Sequence, residues 1–176
     1  MRGKILAIDP GNIESGYVVV GHNGKEITCV IEKGKVDNEC IFGAIFQHCA
    51  FYETDIETEL AVEMIASYGM AVGKSVFDTC VWIGRFVECA VRYGYTNIEY
   101  IYRKDEKTTL CNSMKAKDAN IRQALIDRYA PNTPNGGKGT KKNPGFFYGF
   151  KADIWSAMAV AVTYFDMYVK NRTERE

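Results

Sequence analysis

The chain has 176 residues, 47% hydrophobic and 25% charged, with 22 basic and 22 acidic side chains. That is enough apolar material for one compact core over residues 1–176, and the balance excludes both a disordered polyelectrolyte and a uniformly basic nucleic-acid coat. No apolar run reaches 18 residues, and the apolar part of MRGKILAIDPGN is too short for a signal peptide, so no membrane span is expected and the expected location is cytoplasmic.

Residues 4–9 read KILAID, a short apolar run ending in an acid at a Pro-Gly turn, which predicts a buried strand entering a tight loop. SGYVVVGH predicts a second strand, and His22-Asn23-Gly24 predicts a hairpin into a third, EITCVIEKG. Residues 38–51 suit a helix with Asn38 as its cap. LAVEMI, residues 60–65, predicts a fourth strand that is apolar except for Glu63. Val76, Cys80, Ile83, Val87, Ala90 and Val91 recur near helical period and predict a long helix over 73–93. A fifth strand is expected at 98–102 and a helix over 115–129, with Ile121, Leu125 and Tyr129 on one face. Residues 130–149 hold three of the four prolines and five glycines and predict a long functional loop. A last helix over 153–169 carries Trp155, Met158, Ala159, Val162, Phe165 and Val169 on one face. This order predicts an α/β fold: a five-stranded mixed sheet, three antiparallel strands first and parallel additions after, with helices on its faces.

The six cysteines include no CxxC pair, and only His22 and His48 could join them, so zinc is not expected. Reduced, mostly buried thiols are the expectation. The balanced charge hides an asymmetry. Between residues 36 and 72 lie seven acids and no lysine or arginine, whereas residues 103–151 hold eleven bases and four acids. The second stretch would attract a polyanion.

Three acids stand apart. Asp9 closes the first strand, Glu63 sits inside an apolar one, and Asp153 opens the last helix. Asp9 suits a turn and Asp153 a helix cap, but a glutamate between Val62 and Met64 is rarely buried without a partner, and no basic residue is near it in sequence. If the first and fourth strands are neighbours, Asp9 and Glu63 converge. Carboxylates about 4 Å apart repel by roughly 4 kcal/mol per pair at an effective dielectric near 20, so the cluster needs protons or a cation. Oxygen donors without supporting histidine or cysteine suit Mg2+, with Mn2+ as a substitute, and two such ions suit phosphodiester hydrolysis.

AIDPGN with Ser15-Gly16-Tyr17, then Ala61-Val62-Glu63, then ADIWSAMAVAVTYF resembles, in order and across most of the chain, the acidic motifs of RuvC-type Holliday junction resolvases. MIASYGMAVGKSVFDTCVWIGRF, KDANIRQALIDRY and the KGTKKNPG loop look most like RuvC-like proteins carried by bacteriophages. The resemblance implies an RNase H-like fold and a crossover junction endonuclease. It implies Asp9, Glu63 and Asp153 as catalytic metal ligands, two Mg2+ ions, a 5′-phosphate product, no small-molecule cofactor and a homodimer joined through the helix over 73–93. It also departs from the family: bacterial resolvases carry two metal-binding residues one turn apart on the last helix, and here Ser156 follows Asp153. The fourth ligand stays open, with Asp118 an outside candidate better read as a helix-surface acid.

Lys115, Lys117, Arg122, Lys138, Lys141 and Lys142 are expected to contact DNA phosphates, as recognition of branched shape requires. The resemblance gives Tyr68 a base-stacking role. Phe146, Phe147 and Tyr148 suit wedges or loop packing. Asp9, Gly11 and Gly16 also suit the phosphate loop of actin-like and sugar-kinase proteins, but those use two such domains. A non-catalytic branched-DNA-binding module of the same fold is the other alternative.

Overall fold

The computed structural model describes residues 3–49, 56–67, 69 and 71–173. A five-stranded sheet has the order β3-β2-β1-β4-β5. β1 (Gly3–Asp9), β2 (Glu14–His22) and β3 (Ile27–Asp37) form an antiparallel meander, and β4 (Glu57–Met64) and β5 (Ile98–Tyr102) extend it in parallel with β1. The expected mixed sheet with helices on both faces is present.

β1 and β2 are buried on both sides, which is why they read as nearly unbroken apolar runs rather than alternating ones. Alternation still sorts their residues. Leu6, Ile8, Val19, Leu60 and Val62 face α1 (Asn38–Gln47) and α2 (Lys74–Arg92). Ile5, Ala7, Val18, Val20, Ala61 and Ile101 face α5 (Ala152–Tyr164), with α4 (Asp118–Tyr129) beyond it. α5 is buried nearly all round, and its small residues Ala157, Ala159 and Ala161 let it lie close on the sheet. It continues through a π turn, Phe165–Val169, into α6 (Lys170–Thr173).

Four expectations need correction. A helix α3, Arg103–Cys111, follows β5 without a gap and was not foreseen. Its sequence RKDEKTTLC has almost no apolar stripe, so periodicity gave no signal. The helix expected from residue 115 begins at Asp118, because 112–117 make a turn with Asn112 at φ 51°. The cysteines are all free, as expected, but only Cys49 is buried; Cys29 and Cys40 are exposed and the others half-buried. Residues 130–149, expected as a long loop, run mainly through turns and carry some order of their own. They contain a 3-10 turn, Pro134–Gly137, and a Gly139–Pro144 bridge that closes a small hairpin.

Asn38 is not the cap of α1; Asp37 precedes the helix and Asn38 is its first residue. Its side chain instead pins the turn after β1. Ser15 Oγ donates to Asn38 Oδ1 at 2.6 Å, Asn38 Nδ2 donates to the Gly11 carbonyl at 2.9 Å, and the Gly11 N–H donates to Ser15 Oγ at 3.2 Å. Ser15 and Asn38 are buried, so each member depends on the others. Asn38→Ala leaves a buried hydroxyl and a carbonyl unpaired and is expected to lower stability by about 2 kcal/mol in urea denaturation. A loss within experimental error would show that the turn is held some other way.

Candidate active site

Strand register and side-chain parity decide which groups meet. Asp9 follows Ile5 and Ala7 on the side of β1 that faces α5, and Glu63 follows Ala61 on the same side of β4. β1 and β4 run parallel in register, with Ile8 opposite Val62, so the two acids end adjacent strands side by side. They share a side-chain hydrogen bond. Two carboxyl groups can do that only if the pair keeps a proton between them. Burial, then the charge and hydrogen bond of Glu63, then the charges of Asp153 and Glu106 push Asp9 up to about 9.

Asp153 comes from the opposite direction. Gly16 pairs with Asp9 across the antiparallel ladder and has the same facing as Val18 and Val20. A Cβ on Gly16 would sit 2.5 Å from the Asp153 carbonyl oxygen and 2.8 Å from its Cβ. Only glycine lets the first turn of α5 rest there. The residue before, Ala152, has φ 26°, a left-handed strain placed directly beside the candidate site. Lys151 occupies the N-cap position, so Asp153 is not the cap of α5. Its carboxylate pairs at 3.0 Å with Lys35, which lies opposite Gly16 on β3 and also reaches Glu14 at 3.3 Å.

A fourth acid was missed. Glu106, on α3, is 0% exposed. Arg103, one turn earlier, donates one Nη to Glu106 and the other to Asp118 at the start of α4. Burial foremost, and then the Glu63 charge, push Glu106 up to about 8 against the opposing pull of Arg103. Its Oε1 is buried and accepts no hydrogen bond among the described residues. The signal that could have found α3 is the acid three residues after Tyr102: Asp105 accepts the Tyr102 N–H at 3.0 Å, a helix-start device.

Among the described residues no three carboxylate, imidazole or thiolate groups already surround one point as metal ligands. The donor chemistry nonetheless fits a hard divalent cation: the four acids supply only oxygen, and each carries a replaceable compensation. Asp9 holds a proton against Glu63, Asp153 leans on Lys35, and Glu106 leans on Arg103.

No family model matches the chain, and no curated protein matches it in sequence. Solved structures do. Thermus thermophilus RuvC is 17% identical with a TM-score of 0.66 over 94% of this chain and 97% of that one. T. thermophilus RuvC in complex with a Holliday junction substrate is 15% identical with a TM-score of 0.68 over 98% of each. The chain has the RuvC fold.

On this RuvC-like frame two cavities flank the acids. One of about 280 Å³ is lined by Asp9, Glu63 and Arg103, with Pro10 and Met64–Ala66 at its side. The other, about 690 Å³, is lined by Arg103, Asp118, Arg122, Asp153, Trp155 and Ser156, among others. Arg103 is common to both. Ser156 therefore does stand one turn after Asp153 on the cavity side, and Asp118, though exposed, is tied to the site through Arg103.

Of the expected DNA-contacting residues, Arg122 lies nearest, its guanidinium 4.6 Å over the Trp155 ring. Lys117 is exposed at the N-cap of α4 and Lys115 is exposed just before it. Lys141 and Lys142 are exposed at the tip of the Gly139–Pro144 hairpin, with Lys138 half-buried at its base. Tyr68 lies outside the described residues. Phe147 is core packing, 4.6 Å from Trp155, and Phe146 stacks on Tyr129 at 5.0 Å, so neither is a wedge; Tyr148 is exposed.

The raised acids have a sign that can be checked. A carboxyl whose folded pKa exceeds its unfolded value stabilises fully below the unfolded pKa, near 4, and loses that contribution as pH rises through the folded value. For Asp9 the window runs from about pH 4 to about 9. Thermal melts in chelator should therefore fall with rising pH across it, and Asp9→Asn should flatten the slope. An unchanged slope would mean that Asp9 is not the proton holder.

Proposed function

We propose that the protein is a divalent-metal-dependent endonuclease for branched DNA, with the four-way Holliday junction as its substrate. The observation that carries this reading is the placement of Asp9 and Glu63 side by side on adjacent parallel strands, with Asp153 brought beside them by Gly16, on a RuvC fold. Strand carboxyl ends are where open α/β sheets bind ligands, and three acids gathered there carry no advantage for stability alone. Asp9, Glu63 and Asp153 would hold Mg2+ or Mn2+, two ions per site. When bound, such ions activate water and neutralise charge on a scissile phosphate, leaving a 5′-phosphate.

The chain's own residues prepare the rest. Asp9 and Glu63 would hold an ion in place of the proton they share, and Lys35, which bridges Asp153 and Glu14, stands as the cation at the edge of the site. Arg103 and Arg122 line the larger cavity and offer forked donors to phosphate oxygens. The Arg122 guanidinium lies over Trp155, 4.6 Å from the ring centre, which limits its rotamers. Phe147 packs on the same Trp155, so the hairpin bearing Lys141 and Lys142 is anchored to the helix that carries Asp153. These lysines, with Lys115, Lys117 and Lys138, contact backbone phosphates without reading sequence. Tyr68 supplies base stacking near the junction.

Asp9→Asn, Glu63→Gln and Asp153→Asn should each abolish cutting in a panel of four-way, forked, flap and linear DNA with Mg2+, while junction binding stays near wild type. Full turnover by any one would remove that residue from the machinery. Junction binding with no cutting by the wild-type chain would favour the non-catalytic alternative.

Two symmetric cuts need two sites, and the outward face of α2 supports a two-fold dimer. Phe77, Val81 and Val91 are 60%, 62% and 55% exposed on this one amphipathic helix, on the side away from buried Ile83 and Phe86. Wild type should have a dimeric mass by light scattering at micromolar concentration, and Val81→Glu a monomeric one. A monomeric wild type that cleaves junctions fully would overturn the dimer.

Among the described residues no helix is long and apolar enough to cross a membrane.

A further inference from the structure

We propose that Glu106 is a fourth carboxylate donor to the divalent-cation site, contributed by α3, and that Arg103 is its exchangeable counter-ion. The inference rests on the nuclease reading above and goes beyond the three acids of that reading.

The carrying observation is a buried oxygen without a donor. Glu106 is 0% exposed, Oε2 accepts from Arg103, and Oε1 accepts from nothing among the described residues. A carboxyl oxygen held out of water without a hydrogen bond is costly, and such an orphan in a native core calls for a partner or a role. The surrounding groups say what partner would suit. Glu106 lies within electrostatic reach of both Asp9 and Glu63, which are themselves anions or proton-sharing acids and cannot donate to it once ionised. A divalent ion held by that pair would give Oε1 its missing partner.

The chain path explains how Glu106 comes to be there. β5 pairs Ile101 with Glu63, and α3 starts two residues later with no intervening loop. Arg103 thus lines the same cavity as Asp9 and Glu63, and Glu106 follows on the same helix face three residues on. To the larger cavity, which shares Arg103, α5 presents Asp153 and, one turn later, Ser156, whose hydroxyl is a poor ligand beside a carboxylate. The last helix thus brings one carboxylate to the site, and α3 brings another.

Arg103 suits an exchangeable role because it has alternatives. Its second Nη already binds Asp118, whose side chain is 87% exposed, and it opens onto the larger cavity beside Arg122. When an ion takes Glu106, the guanidinium keeps Asp118 and turns one fork toward that cavity, where a phosphate can replace the lost carboxylate.

Calorimetric titration of the full chain with Mn2+, free of DNA, tests this. Wild type is expected to bind Mn2+, and Glu106→Gln, which keeps the shape and an acceptor for Arg103, is expected to bind at least about tenfold more weakly, with a smaller Mn2+-induced rise in Tm. Asp118→Asn, which disturbs Arg103 from its exposed side, should bind Mn2+ as wild type does. Equal Mn2+ affinity in Glu106→Gln and wild type overturns the assignment and leaves the nuclease reading standing. So does an equal loss in Asp118→Asn, because the effect would then run through Arg103. No Mn2+ uptake by wild type overturns both. If Glu106→Gln does not fold, Glu106→Asp is titrated instead: a shorter carboxylate should weaken Mn2+ binding while keeping the charge, and unchanged affinity overturns the proposal.

Discussion

The structure turns on repulsion between acids forced to share one end of a sheet. Asp9 and Glu63 are placed side by side by a parallel register that the apolar core fixes, and neither strand can slip without moving its whole buried set to the wrong face. The repulsion is met in three chemically different ways. Asp9 keeps a proton, Asp153 borrows the exposed ammonium of Lys35, and Glu106 takes the half-buried guanidinium of Arg103. A site built for stability would have used apolar residues of the same size, since ion pairs and unpaired buried acids seldom stabilise.

The same repulsion shows why the surrounding backbone is so constrained. Gly16 must lack a side chain for α5 to reach β2, Ala152 accepts a left-handed φ at the start of that helix, and Ser15, Asn38 and Gly11 lock the turn that follows Asp9. These features lie within one small region at the carboxyl ends of β1 and β4. The far side of the sheet, packed on α1 and α2, needs no comparable device, because Leu6, Ile8, Val19 and Leu60 meet ordinary apolar partners there.

What was legible in the sequence follows from what leaves a pattern. KILAID and LAVEMI announce buried strands and make their terminal or central acids conspicuous, so Asp9 and Glu63 could be found against an apolar background. Asp153 was visible because an apolar helix follows it. Glu106 had no such background. It lies in RKDEKTTLC, where four of the first five residues are as charged as it is, and the helix that buries it has no apolar stripe. Burial there comes from tertiary contact with α4 and α5, which no local period encodes. Asn38 shows the opposite error: the residue type suited a cap, but a hydrogen-bond partner 23 positions earlier, Ser15, claimed its side chain.

The balanced net charge now has a spatial meaning. Arg103 lines both cavities at once, and in the larger one it is joined by Asp118, Asp153 and Arg122, whose guanidinium lies over Trp155. Trp155 also seats Phe147, and through it the folded hairpin with Lys141 and Lys142. On the proposed reading, a polyanion approaching the lysines would be led toward a helix whose first turn carries Asp153. Yet bare acids would repel a phosphate at the last few ångströms, where screening by salt is weakest. Lys35 and Arg103, each already resting on one of those acids, are the cations that can turn to meet it. Zero net charge is thus compatible with the proposed nucleic-acid site, because cations sit beside Asp153 and Glu106 as well as on the hairpin.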